Sequence, residues 1–153
     1  MSALELRVPP VALAIAVAVL MRFVATITPS LAFAPPGRVV LAPALASLGV
    51  AVALAGVAAF RSASTTVDPT RPHGASSLVT GGIYRITRNP MYLGFALALT
   101  AWAVWLCHLL AGALVAAFVA WIDRFQIRPE ERALRERFGQ PFETYARTVR
   151  RWL

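Results

Sequence analysis

The chain has 153 residues, 58% of them hydrophobic and 14% charged, where soluble domains carry about 25% charged residues. That excludes an ordinary soluble domain and points to an all-α polytopic membrane protein organised as a single domain. The net charge of +8 comes from arginine alone, without lysine, and the arginines stand at the ends of apolar runs rather than in a basic array with interleaved aromatics, which excludes nucleic acid as a partner.

One cysteine, Cys107, rules out an internal disulfide. The two histidines, His73 and His108, lie on opposite sides of an apolar segment, so no metal site is expected.

Residues 11–27 form the first apolar segment, with Arg22 close enough to its end to snorkel to the interface. A signal peptide competes for this stretch, because Arg7 precedes it and Ala32-Phe33-Ala34 imitates a cleavage site. The position of Arg22 and the spans downstream favour a retained helix. Pro35-Pro36-Gly37 marks a turn. Residues 39–60 carry no charge and suffice to cross about 30 Å of hydrocarbon. Gly49 and Gly56, two helical turns apart, would let a neighbouring helix approach closely.

The stretch from Arg61 to Asn89 reads as an ordered polar loop at the membrane surface. Asn89-Pro90 then starts a helix, with asparagine as cap and proline in the first turn. The apolar run from Met91 to Ile122 is too long for one span, so a tight hairpin is expected, turning near Cys107 to Gly112, with spans at 91–106 and 109–123. Pro129 should begin a new helix that Gly139 ends. Phe142, Tyr145, Val149 and Trp152 continue an apolar stripe over the membrane or the cavity.

Arginine counting sets the topology. The Arg61–Arg88 loop holds four arginines and the tail beyond Trp121 holds eight, against Arg38 alone in the first connector. Four spans with both termini cytoplasmic follow. The arginine and alanine bias fits a GC-rich bacterium, hence a bacterial inner membrane.

Each polar motif has an ordinary reading on its own. Arg88-Asn89-Pro90 could be a snorkelling arginine before a helix cap, and Glu130-Glu131 could complement a helix dipole. Tyr84, Tyr92 and Trp121 could be interfacial aromatics, His73 a plain loop histidine, and His108 inert. Together they change meaning, because the hairpin must bring its two polar flanks to one end. A ligand with a carboxylate, an amine, a ribose and an aromatic base suits such an edge: arginine clamps the first, glutamate takes the ammonium or ribose, tyrosine covers the base. S-adenosylmethionine has all four parts and a sulfonium.

From Thr65 to Leu153 the chain resembles the isoprenylcysteine carboxyl methyltransferase and phospholipid methyltransferase superfamily. The resemblance rests on Leu78-Val79-Thr80-x-Gly82-x-Tyr84-Arg85, Arg88-Asn89-Pro90-Met91-Tyr92-Leu93-Gly94, Pro129-Glu130-Glu131-x-x-Leu134 and Phe138-Gly139-x-x-x-x-x-Tyr145. Eukaryotic members usually have histidine where Asn89 stands; asparagine cannot titrate, which argues against a general base there. The resemblance implies an S-adenosylmethionine-dependent membrane enzyme methylating a lipophilic acceptor that enters sideways from the bilayer. Tyr84, Arg88, Asn89, Pro90, Tyr92, Gly94, Glu130 and Glu131 are then the cofactor-site positions. Arg85 or Arg124 would orient the acceptor for in-line attack. A nicotinamide-dependent reductase related to sterol reductases, and a non-catalytic membrane scaffold, are the alternatives.

Overall fold

The computed structural model describes residues 5–33, 36–62 and 77–153. His73, Ala34 and the first half of the polar loop lie outside the described residues. Four long helices form the body: α1 (Pro10–Ile27), α2 (Arg38–Ser62), α3 (Pro90–Leu106) and α4 (Leu109–Ile122). A π-helical turn over Asp123–Ile127 leads into α5 (Arg128–Phe138), and α6 (Gln140–Thr148) follows. No strand occurs among the described residues.

The helices begin where proline allows it. Pro10 and Pro90 occupy first-turn positions, whose N–H groups would have no partner within the helix anyway. Between α3 and α4 the reversal takes only Cys107 and His108, with Cys107 in the left-handed region at φ 52°. The hairpin expected from the apolar run is therefore present, at nearly the expected limits.

Helices α2 and α3 come closest. A Cβ added to Gly94 would lie 2.6 Å from the Gly49 carbonyl oxygen and 2.7 Å from the Ala53 Cβ; one added to Gly56 would lie 3.0 Å from Pro90. Backbones meet because the side chains are missing, which is how helices pack tightly without a hydrophobic drive between them. The core lies where α1, α3 and α4 converge, around Met21, Tyr92, Leu99, Phe118, Ile122 and Ile127. Outward positions are apolar as well: Ile15, Val19 and Phe23 on α1 and Val40, Leu48 and Leu54 on α2 are exposed. In water this surface would drive aggregation, whereas against lipid it is satisfied.

Three helices are long and apolar enough to cross a membrane: α1, α2, and the rod that runs from Leu109 to Phe138. Helix α3, with 17 residues, is about 26 Å long at 1.5 Å per residue. The chain is an integral membrane protein. At one end of the bundle the Phe33 N–H donates to the Cys107 carbonyl at 2.8 Å, and the His108 Nε2 lies 2.8 Å from the Thr28 carbonyl. The opposite end gathers Glu5–Pro9, residues 77–89 and everything after Asp123. There Leu6 N–H donates to the Phe125 carbonyl at 3.1 Å and Gln126 to the Val8 carbonyl at 2.6 Å.

Two expectations need correction. Pro129 does stand in the first turn of α5, which Gly139 ends, but α5 is not set apart from α4: the helical rod is continuous from Leu109 to Phe138. Proline cannot donate to the carbonyl four residues back, that of Phe125, and that carbonyl takes the Leu6 N–H instead. The π-helical turn carries the chain across the gap, with the Arg128 N–H reaching the Asp123 carbonyl. Asn89 does hold the N-cap position of α3, yet its side chain makes no capping bond. Its amide is engaged elsewhere.

Candidate functional site

The polar end is built on α3 and α5 and closed by the C-terminal segment. Tyr92, in the first turn of α3, is buried and donates its hydroxyl to Glu130 on α5. Glu130 is partly buried. The next residue, Glu131, faces a different set of partners. It takes Arg88 at 2.8 Å and Arg151 through two bonds of 3.0 and 2.6 Å. Arg151 also donates to Asp123 at 3.0 Å.

Arg88 does more than hold Glu131. Its Nη1 donates to the carbonyls of Ala146 and Val149 at 2.6 and 2.8 Å, and its backbone N–H to the Arg150 carbonyl at 3.0 Å. Asn89 donates its amide to the Arg151 carbonyl at 2.9 Å, and the fully buried Thr87 donates to the same oxygen at 3.3 Å. Tyr145 donates to the Tyr84 carbonyl at 2.8 Å. Residues 84–89 and 145–151 thus form one latched unit. Helical order ends at Thr148, and the extended chain that follows offers its carbonyls to these donors.

The electrostatics follow from these pairings. The hydrogen bond to Glu131 is the largest of the effects that hold the Arg151 guanidinium charged beyond its usual range. Burial pushes the Tyr145 hydroxyl up to about 12, with Arg88 pulling the other way. Tyr84 is raised well above the ordinary phenol range, by burial first and then by Tyr145 and Glu130.

Tyr84 sits on a 3₁₀ turn, Gly82–Arg85, with its ring edge-on to Phe60 of α2 at 5.4 Å. Beside this turn lies a cavity of about 700 Å³, lined by Ala55 and Ala59 of α2 and by Leu78, Val79, Gly82 and Ile83. Its size is within the range of small-molecule sites, roughly 300–1,000 Å³.

The structure brings Tyr84, Arg88, Asn89, Tyr92, Glu130 and Glu131 to one end of the bundle, as the sequence led us to expect. Pro90 starts α3 and packs against Gly56. Gly94 gives its close approach to Gly49 and Ala53 of α2, so helix packing accounts for it. Arg85 is exposed on the 3₁₀ turn beside α2. Arg124 points the other way: half-exposed on the π-helical turn, it lies 3.9 Å from Glu5 in the N-terminal segment. The sequence reading missed Thr87, Asp123 and Arg151. Nothing marks Arg151 out among Arg147, Arg150 and Arg151 before the carboxylates opposite are known.

Residues 37–141 match the model of the phospholipid methyltransferase family. The chain belongs to that family. An uncharacterized protein of Haemophilus influenzae is 44% identical over 63 residues, covering 41% of this chain and 100% of the relative. A probable protein-S-isoprenylcysteine O-methyltransferase of Oryza sativa subsp. indica is 39% identical over 75 residues, 47% of this chain and 38% of the relative. Protein-S-isoprenylcysteine O-methyltransferase B of Arabidopsis thaliana is also 39% identical over 75 residues, covering 47% of this chain and 36% of the plant protein. The chain therefore matches less than two-fifths of the length of these plant relatives. No solved structure matches it.

Proposed function

We propose that this membrane protein of the phospholipid methyltransferase family transfers a methyl group from S-adenosylmethionine to a lipophilic acceptor at the cytoplasmic edge of a bacterial inner membrane. Membership of the family is the observation that carries the reading. The geometry supports it in three ways. A carboxyl–phenol pair, partly buried Glu130 and buried Tyr92, stands at the polar end of the bundle. Beside Tyr84 lies an apolar-walled cavity of about 700 Å³. Arg88 has a buried Nε–H without an acceptor among the described residues, a donor that a bound anionic or polar ligand could satisfy.

When bound, S-adenosylmethionine supplies an electrophilic methyl carried on a sulfonium. The protein's residues bind, orient and exclude water. Tyr84 and Tyr92 wall the cofactor region, and Glu130 is aimed by the Tyr92 hydroxyl. Arg88, Asn89 and Glu131 act as positioning residues, fixing the C-terminal segment across the site. Arg85, at the exposed rim, is placed to meet an acceptor arriving from the bilayer. Positioning and dehydration supply the acceleration, because a nucleophile stripped of water and held in line reacts faster. A carboxylate acceptor needs no base; an amine or thiol gives up a proton.

The test is transfer of radiolabelled methyl into material extracted by organic solvent, from membranes with and without the protein. Label appearing only with the wild-type protein, and absent for Glu130→Ala, is the expected result. No transfer to lipophilic carboxylates, thiols or amines, by protein that is folded, overturns the reading.

A further inference from the structure

The N-terminal segment fastens itself to one short stretch of the rod. The Leu6 N–H donates to the Phe125 carbonyl at 3.1 Å, and the Gln126 amide donates to the Val8 carbonyl at 2.6 Å. Glu5, its side chain only 5% exposed, accepts from Arg132 at 2.7 Å and lies 3.9 Å from Arg124. Leu6 holds φ 59°, a left-handed conformation that a leucine adopts only under constraint. These contacts fall on the π-helical turn, Asp123–Ile127, or on α5 just after it.

A π turn holds one residue more than an α turn. If this one tightened to α geometry, α5 would rotate by about 100° relative to α4, the step of one residue at 3.6 per turn. Each place on α5 would then pass to the residue before its present holder. Glu130 would take the place of Glu131, before Arg88 and Arg151. Arg151 would stay, because Asp123 at the head of the turn also holds it, at 3.0 Å. The arginines would thus have a carboxylate in either register. Tyr92 would not, since Pro129 would replace Glu130 opposite its hydroxyl. At the N-terminal segment the exchange is one of sign: Glu131 would stand where Arg132 stands, facing Glu5.

We infer that the π turn is a register device, set by the N-terminal segment as a strap, with Glu5 reading the register by charge. The arginine cluster cannot choose, because either register offers it a glutamate. Glu5 can choose, because one register offers it an arginine and the other a carboxylate. Pro129 works with the strap: in α geometry its ring crowds the carbonyl four residues back, and that Phe125 carbonyl is the one Leu6 engages. Glu5 and Leu6 are therefore positioning residues, acting on the polar end through α5. Released, the strap lets α5 rotate, and the pairing at Tyr92 is lost. The inference concerns the fold and holds whatever ligand the polar end takes.

The test is the distance between two spin labels in the detergent-purified full chain. Cys107→Ala removes the native thiol; the labels go on Arg61→Cys, at the end of α2, and Glu136→Cys, on α5, both exposed positions. With the strap intact, a single distance is expected. Glu5→Arg together with Pro129→Ala should add a second population displaced by about 5–10 Å, since the label swings on a helix about 10–12 Å across. Deleting Arg124 takes out the extra residue of the turn, so α5 keeps its faces in plain α geometry. That variant should unfold cooperatively and keep the wild-type distance. Adding Glu5→Arg and Pro129→Ala to it should create no second population; one appearing there would mean that the strap only steadies α5, and overturns the inference. A folded Glu5→Arg/Pro129→Ala protein showing the wild-type distance alone also overturns it. If that variant does not fold, the deletion decides: a displaced label or loss of cooperative unfolding on deleting Arg124 defeats the register account.

Discussion

Arg151 grips Glu131 through two N–H···O bonds of 3.0 and 2.6 Å, and Glu131 simultaneously accepts from Arg88 at 2.8 Å. One carboxylate therefore ties the segment before α3 to the C-terminal segment. Arg88 also donates to the Ala146 and Val149 carbonyls across the same seam, and the Arg151 carbonyl accepts from Asn89 and Thr87. The expected consequence of removing it is loss of the seam as a unit, because two guanidinium groups are left facing each other. Glu131→Ala should cost about 3 kcal/mol, in the range for breaking a buried pair from one side. Arg151→Lys keeps the charge and loses the fork, and should cost about 1 kcal/mol. Thermal unfolding in detergent, with both variants beside wild type, measures the difference; equal midpoints for all three would mean the seam is ornamental.

Tyr145 contributes to the same seam by a single bond to the Tyr84 carbonyl. Tyr145→Phe should lose about 1 kcal/mol, the usual net worth of one hydrogen bond. The pH dependence has a definite sign. Because the Tyr145 hydroxyl is raised to about 12 in the folded protein, its contribution is complete below the ordinary phenol value of about 10 and is lost as pH rises through the folded value. Stability of the wild type should therefore fall across that window, between about 10 and about 12, and Tyr145→Phe should show a smaller fall.

The glycines divide into two kinds. Gly94→Ala places a methyl 2.6 Å from the Gly49 carbonyl, so α2 and α3 must separate; a loss of about 1–3 kcal/mol is expected. At Gly112, within α4, an added Cβ meets nothing within 4 Å. Gly112→Ala should be neutral or stabilising by up to about 1 kcal/mol. Thermal unfolding of the two variants separates them, and comparable losses at both positions would contradict the packing.

Arg85 and Arg124, equivalent candidates by sequence, part company in the fold. Arg124 is engaged with Glu5 on the N-terminal side, while Arg85 lies on the turn that carries Tyr84. Arg85→Ala should raise the acceptor KM several-fold with little change in cofactor binding. Arg124→Ala should leave methyl transfer unchanged within about twofold, as for an exposed side chain remote from the chemistry. Equal effects in steady-state kinetics would refute the distinction.

Much of this architecture was legible in the chain. The uncharged run of α2, the apolar length between Met91 and Ile122, and Asn89-Pro90 fixed three helices closely, because lipid leaves the backbone few options. Gly49 and Gly56 announced the close approach of a neighbouring helix, which the fold shows to be α3. The meeting of Tyr92 and Glu130 followed from their positions at the two ends of a hairpin. What stayed hidden depends on partners distant in sequence. Pro129 reads locally as a helix start, and only the Leu6 N–H that takes the abandoned Phe125 carbonyl lets the rod continue. Asn89 reads as a cap, but the Arg151 carbonyl claims its amide. Arg151 itself is one arginine of several until Glu131 and Asp123 are set opposite it. In Arg88 the sequence offered a free clamp for a ligand; the fold turns most of its donors towards the protein's own chain.

The most direct measurement is calorimetric titration of S-adenosylmethionine into detergent-purified, folded wild-type protein. The account predicts saturable micromolar binding, displaced by S-adenosylhomocysteine. Absence of binding under conditions where the protein unfolds cooperatively on heating would contradict it.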